Sequence, residues 1–237
     1  MDSHLLVTAV IPTLNEGRRL ESAIDNVRHA GFDEIIVCDG GSSDDTRDIA
    51  TSFKDVTFIL SQRGRGQQLA SGIAASTKPI IAIIHADSDL PTDAGDSIRQ
   101  AMSECGVVGG CFTLAFDQPS IALRAYAWFS QFDSVLTTFG DQAMFARRDA
   151  LEAVGGMPQL PLFEDVALRK RLRSVGRFIK LKTTVKTSAR RYQTHGVLRT
   201  QLINGLLLVA FLLGCPAWWL YRLYYGKAMA GNSQSSN

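Results

Sequence analysis

The sequence predicts an α/β protein built on a mostly parallel sheet flanked by helices. Three observations carry this expectation. Short apolar, β-leaning runs alternate with segments of helical periodicity, which is the pattern of βαβ units. The run Ile80-Ile81-Ala82-Ile83-Ile84 is apolar throughout, as a strand covered on both faces requires. Polar loops recur after the predicted strands, at the sheet edge where open α/β folds bind ligands.

The first strand is expected over residues 5–11, stopped by Pro12. Residues 18–30 place Leu20, Ala23, Ile24 and Val27 on one helical face, and Gly31 ends that helix. A strand over 34–38 leads into a glycine-containing loop. A helix over 45–53 follows, capped by Ser43 or Asp44. Next come a strand over 56–60, a helix over 65–76 and the apolar strand at 80–84. The pattern then loosens: helix 92–105, strand 107–116, helix 122–136, strand 142–146, helix 164–175 and strand 180–185.

Composition sets the class. The chain has 237 residues, 46% hydrophobic and 20% charged, enough for one large domain with a sizeable core. We assign residues 1–200 to that domain, 201–225 to a hydrophobic C-terminal helix and 226–237 to a disordered tail. A net charge of +2 gives no case for nucleic acid. Basic residues cluster late, as in Arg169-Lys170-Arg171 and Arg190-Arg191; a solvated face, a polyanionic ligand and an anionic membrane surface all fit. The four cysteines are widely spaced, without a metal-ligand pattern. A reducing compartment suits them, and the start of the chain lacks the basic region of a signal peptide. A cytoplasmic body is expected. Residues 202–221 carry no formal charge and end in Trp218, Trp219 and Tyr221. That length reaches the roughly 20 residues a bilayer span needs, but Gly214 and Pro216 interrupt it. The segment reads as a span, an interfacial anchor or a helix docked on the domain, with the interfacial anchor preferred.

Four loops carry chemistry. Pro12-Thr13-Leu14-Asn15-Glu16-Gly17 offers turn geometry and a carboxylate, and Asn15 alone would serve as a helix cap. Asp39-Gly40-Gly41-Ser42-Ser43-Asp44 lets backbone N–H groups approach a ligand and supplies an acceptor at Asp39. Arg63-Gly64-Arg65-Gly66 sets arginines at a helix start, which suits phosphate. Asp87 and Asp89, at i and i+2 of an extended segment, point to one side and can converge on a hard cation. Singly, each loop is as well read as capping or turn structure. Four at one sheet edge form a joint signal.

With Gly155-Gly156 and Phe163-Glu164-Asp165-Val166 added, these motifs resemble family 2 glycosyltransferases of the GT-A fold, a Rossmann-like sheet. The likeness covers roughly residues 5 to 195 and is nearest a short bacterial branch labelled for arsenosugar biosynthesis. It implies an inverting, metal-dependent transfer of a hexosyl or pentosyl unit from a nucleotide-sugar donor. Pro12, Asn15, Glu16, Asp39, Gly41, Ser42, Arg63, Gly66 and Asp87 would bind the nucleotide. Asp87 and Asp89 would hold Mn²⁺ or Mg²⁺. Asp165 would be the catalytic base, with Glu164 beside it. Asp141 is a candidate acceptor or donor contact, or a simple turn residue. The Gln-x-x-Arg-Trp element of processive synthases has only Arg190-Arg191-Tyr192 as its counterpart, which argues against a polymerase. The acceptor is not legible. Two rival readings remain: a nucleotide-sugar-binding protein without turnover, and a sugar nucleotidyltransferase. The second would need a Gly-rich, Lys-bearing loop after the first strand, where Thr13-Leu14-Asn15-Glu16 stands instead.

Overall fold

The computed structural model describes residues 5–116, 124, 127–132, 134, 140–187 and 197–232. The first part is β1 (Val7–Thr13), α1 (Gly17–His29), β2 (Glu34–Asp39), α2 (Thr46–Ser52), β3 (Val56–Leu60), α3 (Arg65–Ala75) and β4 (Ile80–Ile83). Then come β5 (Ser88–Asp89), α4 (Ala94–Ser103), β6 (Val107–Phe116), β7 (Phe145–Arg147), α5 (Arg148–Ala153), α6 (Glu164–Leu172) and β8 (Arg177–Thr187). Two helices close the chain, α7 (Val197–Leu212) and α8 (Ala217–Asn232).

The strands form one sheet in the order β3-β2-β1-β4-β7-β6-β8-β5. β1 pairs in parallel with β2 and β4, and β2 with β3. β7 is antiparallel to β4 and β6, and β5 is antiparallel to β8. The expected α/β sheet is therefore present, with its parallel half first.

Side-chain alternation explains why both faces are covered. Val7, Ala9 and Ile11 of β1 join Ile35, Val37, Ile80 and Ala82 against α1 and α4. Their neighbours Val10, Ile36, Cys38, Ile81 and Ile83 enter a second core with Leu69 of α3 and Leu168 of α6. Successive residues of a strand point to opposite faces, so continuous apolar runs feed two cores at once. Burial pushes the Cys38 thiol up to about 12, leaving it an inert apolar filler. Contact here is close. A Cβ on Gly72 of α3 would lie 2.4 Å from Val10 Cγ1 and 2.6 Å from Cys38 Sγ.

Several boundaries differ from expectation. Gln142 is not in a strand: Gly140–Gln142 is a 3₁₀ turn, Ala143 has φ 47°, and β7 begins only at Phe145. The two-residue β5 is too short for any periodicity to reveal. Residues 122–123, 125–126, 133 and 135–136 of the helix expected over 122–136 lie outside the described residues, as do Arg190, Arg191 and Tyr192. The single C-terminal helix is two helices, because Gly214 takes φ 98° and Pro216 cannot continue the first. The 200/201 boundary falls inside α7, and α8 runs on to Asn232, past the expected start of the tail. Among the described residues, no helix is long and apolar enough to cross a membrane.

Replacing Gly72 with alanine should destabilise the protein by about 1–3 kcal/mol, because stiff, fully buried neighbours must move. Urea denaturation would report this as a lower midpoint at unchanged m-value.

Candidate active site

The carboxyl ends of β1, β2 and β3 are tied together by polar groups. Gln68 of α3, 4% exposed, donates from Nε2 to Thr13 O at 2.6 Å and Cys38 O at 2.9 Å. Gly40 N donates to Thr13 O, and Ser61 N to Asp39 O. Gly40 lies against Gln68, where a Cβ would sit 3.1 Å from its amide carbon.

The Asp39 carboxylate organises the second loop. It accepts Gly41 N at 3.0 Å, Ser42 N at 2.8 Å, Thr13 Oγ1 at 3.3 Å and the Ser42 hydroxyl. It is 2% exposed, so in this structure it serves the loop. Asn15 joins the first two loops. With φ 55°, it receives Ser43 N on Oδ1 at 2.8 Å and donates its own N–H to Ser42 Oγ at 2.8 Å. Glu16 N reaches Thr46 Oγ1, and Gly17 N reaches Asp44 Oδ2. Pro12, Asn15, Glu16, Asp39, Gly41 and Ser42 are thus gathered on two interlocked loops.

β5 fixes the acidic pair. Ser88 pairs with Thr187 and Asp89 with Lys186. Ser88 is buried, whereas Asp89 and Asp87, the latter in the turn before β5 rather than in extended chain, are exposed. Both line a cavity of about 370 Å³ together with Arg18, Arg19, Ser22 and Asn26 of α1. Asn26 clamps the strand: it accepts Leu90 N at 2.8 Å and donates to Asp89 Oδ1 at 3.1 Å. No group of three or more His, Cys, Asp and Glu with metal-holding geometry occurs among the described residues. Mg²⁺ and its analogues usually take one or two carboxylates, completing their shell with water and phosphate. Two exposed carboxylates lining one cavity suit that donor set, and do not fit an all-protein cage.

A second polar cluster centres on Arg65, whose side chain is 34% exposed. Arg65 opens α3, and its Nη1 lies 2.9 Å from Glu164 Oε1. Its Nη2 lies 2.7 Å from His85 Nε2. Arginine only donates, so this Nε2 accepts and the imidazole proton sits on Nδ1. Arg65 Nε is buried without a partner. Burial alone would lower the guanidinium's pKa, but Glu164, Asp165, Asp141 and Asp87 override it and hold it above its usual value. Glu164 and Asp165, 3% and 8% exposed, start α6, and Val166 N donates to Asp165 Oδ1 at 2.8 Å. Burial pushes the Glu164 carboxyl up; Arg65 opposes this and Asp165 adds to it.

Phe163, just before this pair, adopts φ 61° and stacks on Phe211 of α7 with centroids 5.2 Å apart. A bulky residue in that region costs of order 1–3 kcal/mol and persists only when its surroundings hold it.

The structure therefore brings Asp87, Asp141, Glu164 and Asp165 around one guanidinium. Arg63 is exposed at the rim. Gly66 is a packing residue, since a Cβ there would lie 2.8 Å from Pro158 O. Arg65, His85 and Asn26 have no named role in the sequence reading: Arg65 stands inside Arg63-Gly64-Arg65-Gly66 and His85 just after the apolar run 80–84, whereas Asn26 on α1 gave no signal beyond a polar residue on an amphipathic helix.

The sheet, with its helices on both faces, is that of the GT-A fold. Residues 8–152 match the family model for glycosyl transferase family 2, and the chain belongs to that family. An uncharacterized glycosyltransferase of Mycobacterium bovis is 36% identical over 90 residues, 38% of this chain and 39% of that protein. The match thus spans well under half of that relative. Glucosyl-3-phosphoglycerate synthase of Mycobacterium tuberculosis is 36% identical over 95 residues, 35% of this chain and 29% of that one. Its crystal structure with Mn²⁺, UDP and phosphoglyceric acid superposes with a TM-score of 0.62 at 18% identity, covering 89% of this chain and 79% of that chain. A mannosyltransferase from Pyrobaculum calidifontis, in complex with GDP-Man and Mn²⁺, gives 0.64 at 20% identity, covering 98% and 76%. At these identities the structural likeness establishes the shared fold.

Because the folded-state pKa of Glu164 is raised, the native state holds a proton that the unfolded chain releases. Stability should fall as pH rises from about 4.5, the unfolded value, through the folded pKa, and level off above it. Urea midpoints across that range should show this slope in wild type and lose it in Glu164→Gln.

Proposed function

We propose that this chain is an inverting, metal-dependent glycosyltransferase that moves a hexosyl or pentosyl unit from a nucleoside-diphosphate sugar to an acceptor hydroxyl. The observation that carries the reading is the buried Glu164–Asp165 pair held by Arg65 at the loop edge of the sheet. Family membership and the donors and Mn²⁺ named for the two structural relatives support it.

The donor's nucleoside lies over the loops of β1 and β2, against Pro12, Asn15, Glu16, Gly41 and Ser42, with Asp39 holding their shape. Arg63 and Gly66 border it at the start of α3. Asp87 and Asp89 hold Mn²⁺ or Mg²⁺, which when bound offsets charge on the diphosphate. In the reaction the acceptor oxygen forms a bond to the anomeric carbon as the bond to the β-phosphate oxygen breaks. Its proton passes to Asp165, and the nucleoside diphosphate leaves with the electron pair. Attack from the face opposite the leaving group inverts the anomeric centre. Glu164 keeps Arg65 beside Asp165, and Asp141 contacts the sugar or the acceptor. The catalytic body works in the cytoplasm, where the four free cysteines remain reduced, at the inner face of the cell membrane.

The test is release of free nucleoside diphosphate rather than pyrophosphate when nucleotide sugars are screened with Mn²⁺; pyrophosphate release would overturn the reading. Asp165→Asn should bind the donor nearly normally while kcat falls at least about 10²-fold. Asp89→Asn should abolish the Mn²⁺-dependent thermal shift given by UDP-glucose or GDP-mannose, whichever wild type binds.

A further inference from the structure

Charge divides this chain sharply. All 23 acidic residues lie at or before Asp165, whereas 13 of the 25 basic residues follow it. The part after Asp165 is formally +13 and the part up to it −11. The last two helices belong to the acid-free part, and with the turn between them they carry most of the large exposed apolar residues among those described.

α7 buries Leu207 and Leu208 on its inner side. Its outer side shows Leu202, Leu206 and Val209 at i, i+4 and i+7, one helical stripe. Leu213 continues it into the turn at 82% exposure. α8 buries Ala217 and Leu220 and exposes Trp218, Trp219, Tyr221 and Tyr225. Each tryptophan is a little over half exposed, so the two alone leave roughly 200 Å² in water. Monomers rarely expose patches beyond a few hundred Å² without a partner. Arg222 stacks over Trp218 at 5.4 Å, a cation beside an amphipathic ring, as at a lipid headgroup boundary.

We propose that the α7–α8 hairpin lies in the interface of an anionic phospholipid bilayer, with the turn around Leu213 as its deepest point. This specifies the surface behind the membrane-face location proposed above and rests on that part of the reading. Two helices broken at Gly214 and Pro216 are suited to lie flat, with apolar residues in the acyl boundary and basic residues at headgroups. A second copy is the poorer occupant, because residues 197–232 carry three basic residues and no acid, so a self-paired contact would set like charges together with no acid to offset them. The dock is also one ring stack from the chemistry: Phe211 on α7 holds Phe163, the residue before Glu164.

The test uses the full chain with vesicles of phosphatidylglycerol and phosphatidylcholine, or of phosphatidylcholine alone. Wild type should co-sediment with the anionic vesicles at least tenfold more than with the neutral ones. The exposed pair Leu206→Glu/Leu213→Glu should lose that binding at least tenfold, with an unchanged circular dichroism spectrum and unchanged nucleoside-diphosphate release. Wild type that stays in the supernatant, or a double variant that binds equally, overturns the proposal. So does light scattering that finds a wild-type dimer which the variant disperses. The Mn²⁺-dependent thermal shift with UDP-glucose and GDP-mannose, read on the same preparation, separates the two claims. A shift without sedimentation sinks the dock alone, and sedimentation without a shift for any nucleotide sugar sinks the transferase reading alone.

Discussion

The Arg65 guanidinium is the interaction on which the site depends. Burying Glu164 and Asp165 at a helix start is unfavourable unless a positive charge accompanies them. Arg65 supplies that charge from a different helix, and in doing so connects α3 to α6 across the sheet edge. The connection is rigid because α3 cannot shift independently. Gly72 sits against Val10 and Cys38, Gly66 against the backbone of residues 158–160, and Gln68 bonds the ends of β1 and β2. Packing thus fixes the position of the guanidinium, and the guanidinium fixes the acids. At Glu164 burial outweighs the opposing Arg65, and the neighbouring Asp165 adds to the upward shift.

The same economy of polar groups shapes the donor side. Asp39 has four donors within the protein, all from Thr13 or from its own loop. A carboxylate so engaged preorganises the loop before any ligand arrives, so binding need not order it. Asn15 extends this order to the first loop through Ser42 and Ser43. On the proposed reading a donor would meet two loops already joined to each other and to the sheet, with Asp89 clamped at the far side by Asn26.

Much of this was legible in the sequence, and the limits have physical causes. Alternating apolar runs gave the parallel half because both faces of those strands are buried, so composition alone marks them. The acidic pair was expected from an extended segment, whereas Asp87 lies in a turn and only Asp89 in a strand; both still line one cavity. Arg65 was visible in its motif, but its role was not, since the link to Glu164 spans much of the chain and depends on packing that no local pattern encodes. β5 escaped because two residues have no period. The C-terminal run looked like one helix because hydropathy does not record the positive φ of Gly214.

Backbone strain marks the site independently of any charge. Among the described residues, three non-glycine positions have positive φ: Asn15, Ala143 and Phe163. Asn15 lies in the first loop, Ala143 follows Asp141 and Gln142, and Phe163 precedes Glu164. Such conformations are unfavourable and survive where the surroundings overdetermine them. Asn15 is held by two hydrogen bonds to the β2 loop, and Phe163 by its stack on Phe211. Ala143 is fully buried beside Gln142 and Met144. Asparagine tolerates this region readily, but alanine and phenylalanine do not. Their strain is therefore maintained by packing beside Asp141 and Glu164, both of which act electrostatically on Arg65. In this protein the acids are set by the turns that precede or follow them, and the turns are set by contacts as distant as the C-terminal hairpin.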